Sequence, residues 1–170
     1  MGKLKIYLLF VLAGLSEQGL HAAPVSVAGN VQVKVSFVKP LTLTGLQNFD
    51  LGTIILSGAG TWTGATVRLS QAGALTCSAN LICSGASQVA KYQVSGSNKQ
   101  TVSILAPPVT LRNAINGSTL MLSLDAPQSL VLTNSGNSGA EFSVGGLLTI
   151  NSSTADGVYS GALAVTVDYN

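Results

Sequence analysis

The sequence predicts an all-β fold, an antiparallel sandwich or barrel, and the first observation behind this prediction is its composition. Of the 170 residues 46% are hydrophobic and only 8% are charged, whereas globular domains carry about 25% charged residues. Long helices usually place charged residues on their wet faces, while strands accept Ser and Thr there. The composition therefore favours strands.

The second observation is a repeated alternation of apolar residues, as in strands with one buried face. It occurs in residues 31–37, 66–69, 92–94, 102–104, 120–124 and 163–169. Turn clusters of Gly, Asn and Ser separate these segments, at residues 57–60, 95–98, 116–118, 134–139 and 151–157. Many short strands between such turns are typical of a sandwich or barrel. The one weak helix candidate is residues 84–89.

The first residues have the layout of a secretory signal peptide. Lys3 and Lys5 precede an apolar run over residues 6–15, and the small residues Ala22 and Ala23 follow. We expect cleavage after Ala22 or Ala23, so that residues 1–22 are removed on export. The apolar run is shorter than the about 20 residues of a membrane-spanning helix. Few aromatic residues and short strands also disfavour a membrane barrel, so we expect no membrane insertion.

Without the signal peptide, the chain is nearly neutral. Six basic and five acidic residues remain, and the single histidine, His21, is lost. A net charge near +1 gives no electrostatic footprint for nucleic acid or an anionic membrane surface. The sequence therefore predicts no nucleic-acid partner.

The side chains needed for catalysis are scarce in the exported chain. It keeps no imidazole, and its five acids are scattered along the sequence: Asp50, Asp125, Glu141, Asp156 and Asp168. General acid–base and nucleophilic mechanisms need such groups close together. We therefore predict no catalytic, cofactor or metal site, and a hydrolase is the weakest of the functions considered.

Cys77 and Cys83 are the only cysteines. Disulfides persist in the compartments that exported proteins enter, and two thiols without a histidine do not make a tetrahedral zinc site. We therefore predict a Cys77–Cys83 bridge. It would close a loop of only about seven residues, so its contribution to stability would be at most about 2 to 3 kcal/mol.

Several segments resemble known bacterial surface proteins. NFDLGTI (residues 48–54), KYQVSG (91–96), TVSILAP (101–107), VGGLLTI (144–150) and ADGVYSGALAVTVDYN (155–170) resemble, in the same order, a family of small secreted bacterial domains of unassigned function. The last segment, with Gly157, Tyr159, Gly161 and the penultimate Tyr169, also resembles the terminal strand of chaperone–usher pilins.

The start of the exported chain carries a second likeness. The segment VAGNVQVKVSF (residues 27–37) is similar to the donor strand of archaic-class pilin subunits. In such subunits a sandwich that lacks one strand is completed by the N-terminal extension of a neighbour, a form of β-augmentation.

These resemblances imply an immunoglobulin-like antiparallel β-sandwich and a surface fibre, a pilus or fimbria, that serves adhesion or biofilm formation. The domain would span residues 39–170, preceded by a donor-type strand at residues 23–38. Partners would be other copies or related pilin subunits, a periplasmic chaperone and an outer-membrane usher, with passage through the periplasm to the cell surface. The implied subunit interface comprises Val31, Val33, Val35, Phe37, Leu163, Val165, Val167 and Tyr169.

Two alternatives stay open at this point. Residues 31–37 could be the first strand of a self-contained sandwich, which would make the protein a monomeric secreted binding module. Trp62 could then serve as a sugar-stacking platform, although a single Trp is more often a core residue.

Overall fold

The computed structural model describes residues 32–133 and 139–170. The predicted signal peptide, Val31 and most of the turn at residues 134–139 lie outside the described residues. The chain divides into two units, Met1–Val35 and Ser36–Asn170. Residues 32–35 of the first unit are described, and they form no strand. All strands reported below belong to the second unit.

Thirteen strands are present within the described ranges. They are β1 (Thr42–Gln47), β2 (Thr53–Leu56), β3 (Ala65–Leu69), β4 (Leu75–Cys77), β5 (Leu81–Ser84), β6 (Ala90–Ser95), β7 (Thr101–Leu105), β8 (Val109–Asn113), β9 (Thr119–Asp125), β10 (Ser129–Val131), β11 (Ala140–Ile150), β12 (Tyr159–Ser160) and β13 (Thr166–Tyr169). Every pairing between them is antiparallel. The predicted all-β, antiparallel fold is therefore confirmed.

Residues 32–133 and 139–170 contain no helix of the length and hydrophobicity that crossing a bilayer requires. The weakly expected helix at residues 84–89 is wrong. β5 ends at Ser84, and Gln88 already pairs with Asp50 in an isolated antiparallel bridge. The segment is a short connection between two strands, too short for a stable helix.

The largest sheet has eight strands, with the order β1-β6-β11-β9-β8-β12 and with β3 and β4 attached through β11. β10, β7 and β13 form a second sheet, and β2 and β5 form a two-stranded ribbon. The long strand β11 joins the parts of the large sheet. Its first half pairs with β6, and its second half pairs with β9 on one edge and β3 on the other.

Gly145 and Gly146 lie where β11 changes partners. A Cβ on Gly145 would overlap the backbone carbonyl of Leu69, and one on Gly146 would press on the side chains of Leu122 and Phe49. Only a residue without a side chain allows this close approach of three strands. The Gly-Gly pair in the VGGLLTI segment therefore has a packing role.

The domain has two hydrophobic clusters. The closed core contains Ala90, Val94, Val102, Ile104, Leu132, Phe142 and Val144. The groove core contains Leu51, Ala65, Val67, Leu69, Leu81, Val89, Leu122, Leu148 and Ile150. Both receive side chains from β11, and Phe49 and Leu124 pack against both.

Most of the predicted strand segments coincide with strands, including residues 66–69 in β3 and 120–124 in β9. Within the described ranges, residues 32–40 pair with no strand of this chain, so the strand predicted at residues 31–37, as a donor to a neighbouring copy, stays a prediction. The continuous strand predicted over residues 163–169 is too long. The chain leaves the large sheet after β12 and joins the second sheet only at Thr166, so the intervening residues lack a ladder.

Candidate functional site

The groove core is open on one side, where an apolar groove of about 1320 Å³ enters the domain. Its floor consists of leucine and isoleucine side chains from three strands of the large sheet. These are Leu111 from β8, Leu120 and Leu122 from β9, and Leu148 and Ile150 from β11. One wall is residues 45–56 and the other is residues 154–163. We call this feature the groove and these segments the first and second walls.

The two walls contain the two ends of one sheet. β1 and β12 are the first and last strands in the order of the eight-stranded sheet, and residues of both line the groove. In the described part of the chain β1 pairs only with β6, and β12 pairs only with β8. The sheet therefore curls until two of its unpaired edges, β1 and β12, face a common groove, and unpaired edges offer N–H and C=O groups to an added strand.

Large apolar side chains on the walls are unusually exposed. Leu46 and Ile55 on the first wall are each 47% exposed, and Val158 on the second wall is 77% exposed. Contiguous apolar surface of this kind often marks a binding site. The groove is thus suited to an apolar, extended partner.

The second wall is fixed to the turn between β8 and β9 by Asn113, which is fully buried. Its side-chain Nδ2 donates a hydrogen bond to the carbonyl oxygen of Asp156 (2.9 Å), and its Oδ1 accepts one from the backbone N–H of Ile115 (3.0 Å). Gly157 lies against this amide with φ of 131°, and a Cβ there would overlap the Asn113 side chain. Only glycine fits this approach.

Tyr159 and Gly161 hold the next part of the same wall. The Tyr159 hydroxyl donates to the carbonyl oxygen of Ala155 (2.9 Å) and lies 2.8 Å from the Ser118 hydroxyl. A Cβ on Gly161 would be crowded by the carbonyl oxygen of Thr110. The spacing of Gly157, Tyr159 and Gly161 therefore fixes the wall against β8 and its turn.

The first wall is held from behind. The side-chain amide of Gln47 donates to the carbonyl oxygen of Val89 (2.9 Å). The backbones of Asp50 and Gln88 exchange two hydrogen bonds, of 2.8 and 2.9 Å. The Asp50 carboxylate accepts the N–H of Gly52 (2.8 Å), which turns the chain into β2. Both walls are thus anchored on the sides away from the groove.

Beyond the groove the two terminal segments of the domain meet in a cluster that we call the clasp, made of Lys39, Ser97 and Tyr169. The Tyr169 hydroxyl donates to the carbonyl oxygen of Lys39 (2.7 Å) and accepts the backbone N–H of Ser97 (2.7 Å). The N–H of Lys39 donates to the Ser97 hydroxyl (2.6 Å). A Cβ on Gly96 would overlap the Tyr169 hydroxyl, so this glycine makes room for the clasp.

The C-terminal residues of the predicted interface are half-buried, and their role between subunits stays a prediction. Leu163, Val165, Val167 and Tyr169 all pack against the closed core, while Ala164, Thr166 and Asp168 are exposed. The predicted facing of this segment is therefore confirmed. Leu163 also lines the groove.

The N-terminal residues of the predicted interface are exposed. Val33, Val35 and Phe37 are 93%, 71% and 89% exposed, and Val31 lies outside the described residues. Their role between subunits stays a prediction.

The disulfide between Cys77 and Cys83 is confirmed. It joins the end of β4 to β5, and both cysteines pack against the groove core. Trp62 is half-buried against the same core, and its indole N–H donates to the carbonyl oxygen of Gly58 (3.2 Å). These contacts match a core role for Trp62 better than a sugar-stacking platform.

The acidic residues have ordinary surroundings. Asp125 forms an exposed ion pair with Arg68 (3.2 Å) and accepts a hydrogen bond from Gln71 (2.8 Å). Within residues 32–133 and 139–170 no three His, Cys, Asp or Glu side chains lie close enough together to hold a metal ion.

Burial raises the pKa of Tyr92 above its usual value. Its ring stacks on Phe142 with centroids 5.5 Å apart, and it lines the groove near Gly45. Sequence reasoning missed both Tyr92 and Asn113. The available signal for Asn113 was its position at the end of a short strand, directly before a turn.

Comparison with known proteins gives one match. No curated protein and no solved structure matches the chain. A family model described as "Domain of unknown function (DUF4402)" matches residues 41–169, a stretch that includes both groove walls, the disulfide and Tyr169. Because this match covers most of the sequence, the chain belongs to the DUF4402 family.

Proposed function

We propose that this protein is a structural subunit of a bacterial surface fibre, a pilus or fimbria, that assembles by donor-strand exchange and serves adhesion or biofilm formation. The domain would be an immunoglobulin-like sandwich that lacks one strand. Residues 23–38 of a second copy would fill the groove. The role is structural rather than catalytic.

The observation that carries the proposal is the groove between the unpaired edges of β1 and β12 in the large sheet. A strand laid in it would find main-chain partners on both walls and an apolar floor beneath. The walls span residues 45–56 and 154–163.

The side chains of that segment complement the floor. Val31, Val33, Val35 and Phe37 alternate with polar residues, so a strand conformation places all four on one face. The floor offers leucine and isoleucine in return. Four large apolar side chains would contribute on the order of 6 to 12 kcal/mol before the cost of ordering the segment.

The same exposed edges explain the proposed partners. An unpaired apolar edge is a template for uncontrolled pairing, so a subunit in transit through the periplasm needs a chaperone that caps the groove. An outer-membrane usher would then pass the subunit to the fibre, where the segment of the next copy replaces the chaperone. The exported fibre would lie at the cell surface.

The experiment is deletion and restoration of the segment. The exported protein without residues 23–38 should form no polymers, and a synthetic peptide of residues 27–37 should bind it as a stable one-to-one complex, measured by light scattering after gel filtration. A peptide with Val33→Asp should fail to bind, because its carboxylate would be buried without a partner. The matched control is Ser36→Asp, which adds the same charge on the opposite face and should bind.

Equal binding of the two substituted peptides would contradict the proposal. A deleted protein that polymerises as the intact protein does would also contradict it. If the intact protein is a stable monomer at high concentration, the alternative of a self-contained secreted binding module is favoured instead.

A further inference from the structure

We propose that the clasp prevents the chain from filling its own groove, so that the occupant must be a second copy. This inference rests on the proposed function. It concerns the choice between two sources of the same segment, the chain itself and a neighbour, which the groove alone does not distinguish.

In the clasp, the backbone N–H and the carbonyl oxygen of Lys39 both form hydrogen bonds. The Lys39 N–H donates to the Ser97 hydroxyl, its carbonyl oxygen accepts from Tyr169, and Tyr169 is tied in turn to the Ser97 backbone. Pro40 follows directly and has no N–H to donate. A residue before proline is also restricted to extended conformations. Lys39 is therefore held extended from both sides.

Filling the chain's own groove would require a sharp reversal at this place. β1 begins at Thr42, where it is already paired with Ser95 of β6, and its residue Gly45 opens the first wall. To lie beside β1, the preceding segment would have to turn back within residues 38–41. Lys39 and Pro40 would then be the central residues of a tight turn.

Neither residue suits such a turn. The favoured hairpin turns need a positive φ at the first central residue, and Lys99 is the one non-glycine residue in the described ranges that has it. Proline is disfavoured at the second central position of a type I turn. A reversal would therefore break the clasp and rearrange the backbone of Lys39. The segment of a second copy enters the groove without any reversal, so the clasp favours exchange between copies.

The test compares clasp variants after refolding of the exported protein from denaturant at low concentration. Tyr169→Phe keeps the ring but removes the hydroxyl, and Ser97→Ala removes the acceptor for Lys39. A hydrogen bond is typically worth about a factor of two to ten in an equilibrium constant, so the double variant should raise the ratio of monomer to polymer on the order of tenfold or more. Ser103→Ala, which removes a side-chain hydrogen bond to the Asp168 carbonyl in β13, should leave the ratio unchanged.

Hydrogen exchange of residues 32–37 identifies the monomer that forms. In the double variant these amides should be protected in the monomer, because the segment lies in its own groove. An unchanged ratio in the double variant, with polymers that still depend on residues 23–38, would overturn this inference and leave the proposed function intact. Protected amides in a monomer of the unsubstituted protein would also overturn it. If the unsubstituted protein stays a monomer even at high concentration, and its amides are unprotected, the proposed function and the inference are overturned together.

Discussion

The two hydrophobic clusters of the domain differ in how they are covered, although the same strand, β11, contributes side chains to both. Phe142 and Val144 in the first half of β11 lie in the closed core, which receives side chains from both multi-stranded sheets. Leu148 and Ile150 in the second half lie in the groove core, whose far side is open. The local sequence is equally apolar in both halves. The two clusters therefore differ in the open side of the groove core, and this opening is the basis of the proposed function.

The largest expected effect is in the closed core. Val144→Asp would bury a carboxylate at a position with no exposed surface, at a cost of several kcal/mol, comparable to the whole stability of about 5 to 15 kcal/mol of a typical domain. We expect no folded protein by circular dichroism. Thr149→Asp, on the exposed face of the same strand, should fold. Similar folding of both variants would contradict the complete burial of Val144 in the closed core.

A smaller effect should distinguish the two clusters directly. Leu132→Ala in the closed core, where Leu132 is fully buried, should cost about 2 to 5 kcal/mol of the free energy of unfolding. Leu111→Ala in the groove floor should cost only about 1 kcal/mol without an occupant, because part of that side chain is already in water. Urea unfolding of the protein without residues 23–38 measures both.

Adding the peptide of residues 27–37 sharpens this comparison. The cost of Leu111→Ala should rise when the peptide covers the floor, while the cost of Leu132→Ala should stay the same. A peptide that changes neither cost, or both equally, would show that it does not bind in the groove.

A modest effect is also expected at the disulfide. Replacing Cys77 and Cys83 by Ser should lower the free energy of unfolding by no more than about 2 to 3 kcal/mol, because the bridge closes a short loop. The loop is also held by the carbonyl oxygen of Asn80, which accepts the N–H groups of Ser57 and Gly58. Thermal unfolding of the double variant checks this, and complete loss of folding would contradict it.

The sequence was sufficient for the fold class, the disulfide and the facing of Leu163, Val165, Val167 and Tyr169, because period-two alternation and cysteine pairing are local signals. The groove was not predictable in the same way. It depends on the curl that brings β1 and β12 to a common opening, and on Asn113 contacting Asp156 across 43 positions of the chain. Such contacts leave no periodic signal. The extent of the last strand was predicted wrongly for a related reason. The hydrophobic alternation continues unbroken over residues 163–169, but the strand pairing stops where the chain crosses from one sheet to the other and resumes only at Thr166.

The central claim is that Val33 of one copy lies in the groove of another, and a disulfide cross-link tests it most directly. One tagged version would carry Val33→Cys, and a second version with a different tag would carry Val158→Cys. Cys77 and Cys83 are replaced by Ser in both versions. Val158 lies on the second wall, and Ile115→Cys is the control, since Ile115 is 88% exposed but lies outside the groove. After mixing during assembly and mild oxidation, the account predicts a product with both tags for Val33 and Val158, and little for Val33 and Ile115. Equal cross-linking of Val33 to Ile115 would contradict it. So would a third version with Val33→Cys and Val158→Cys in one chain, if the bond formed only within that chain.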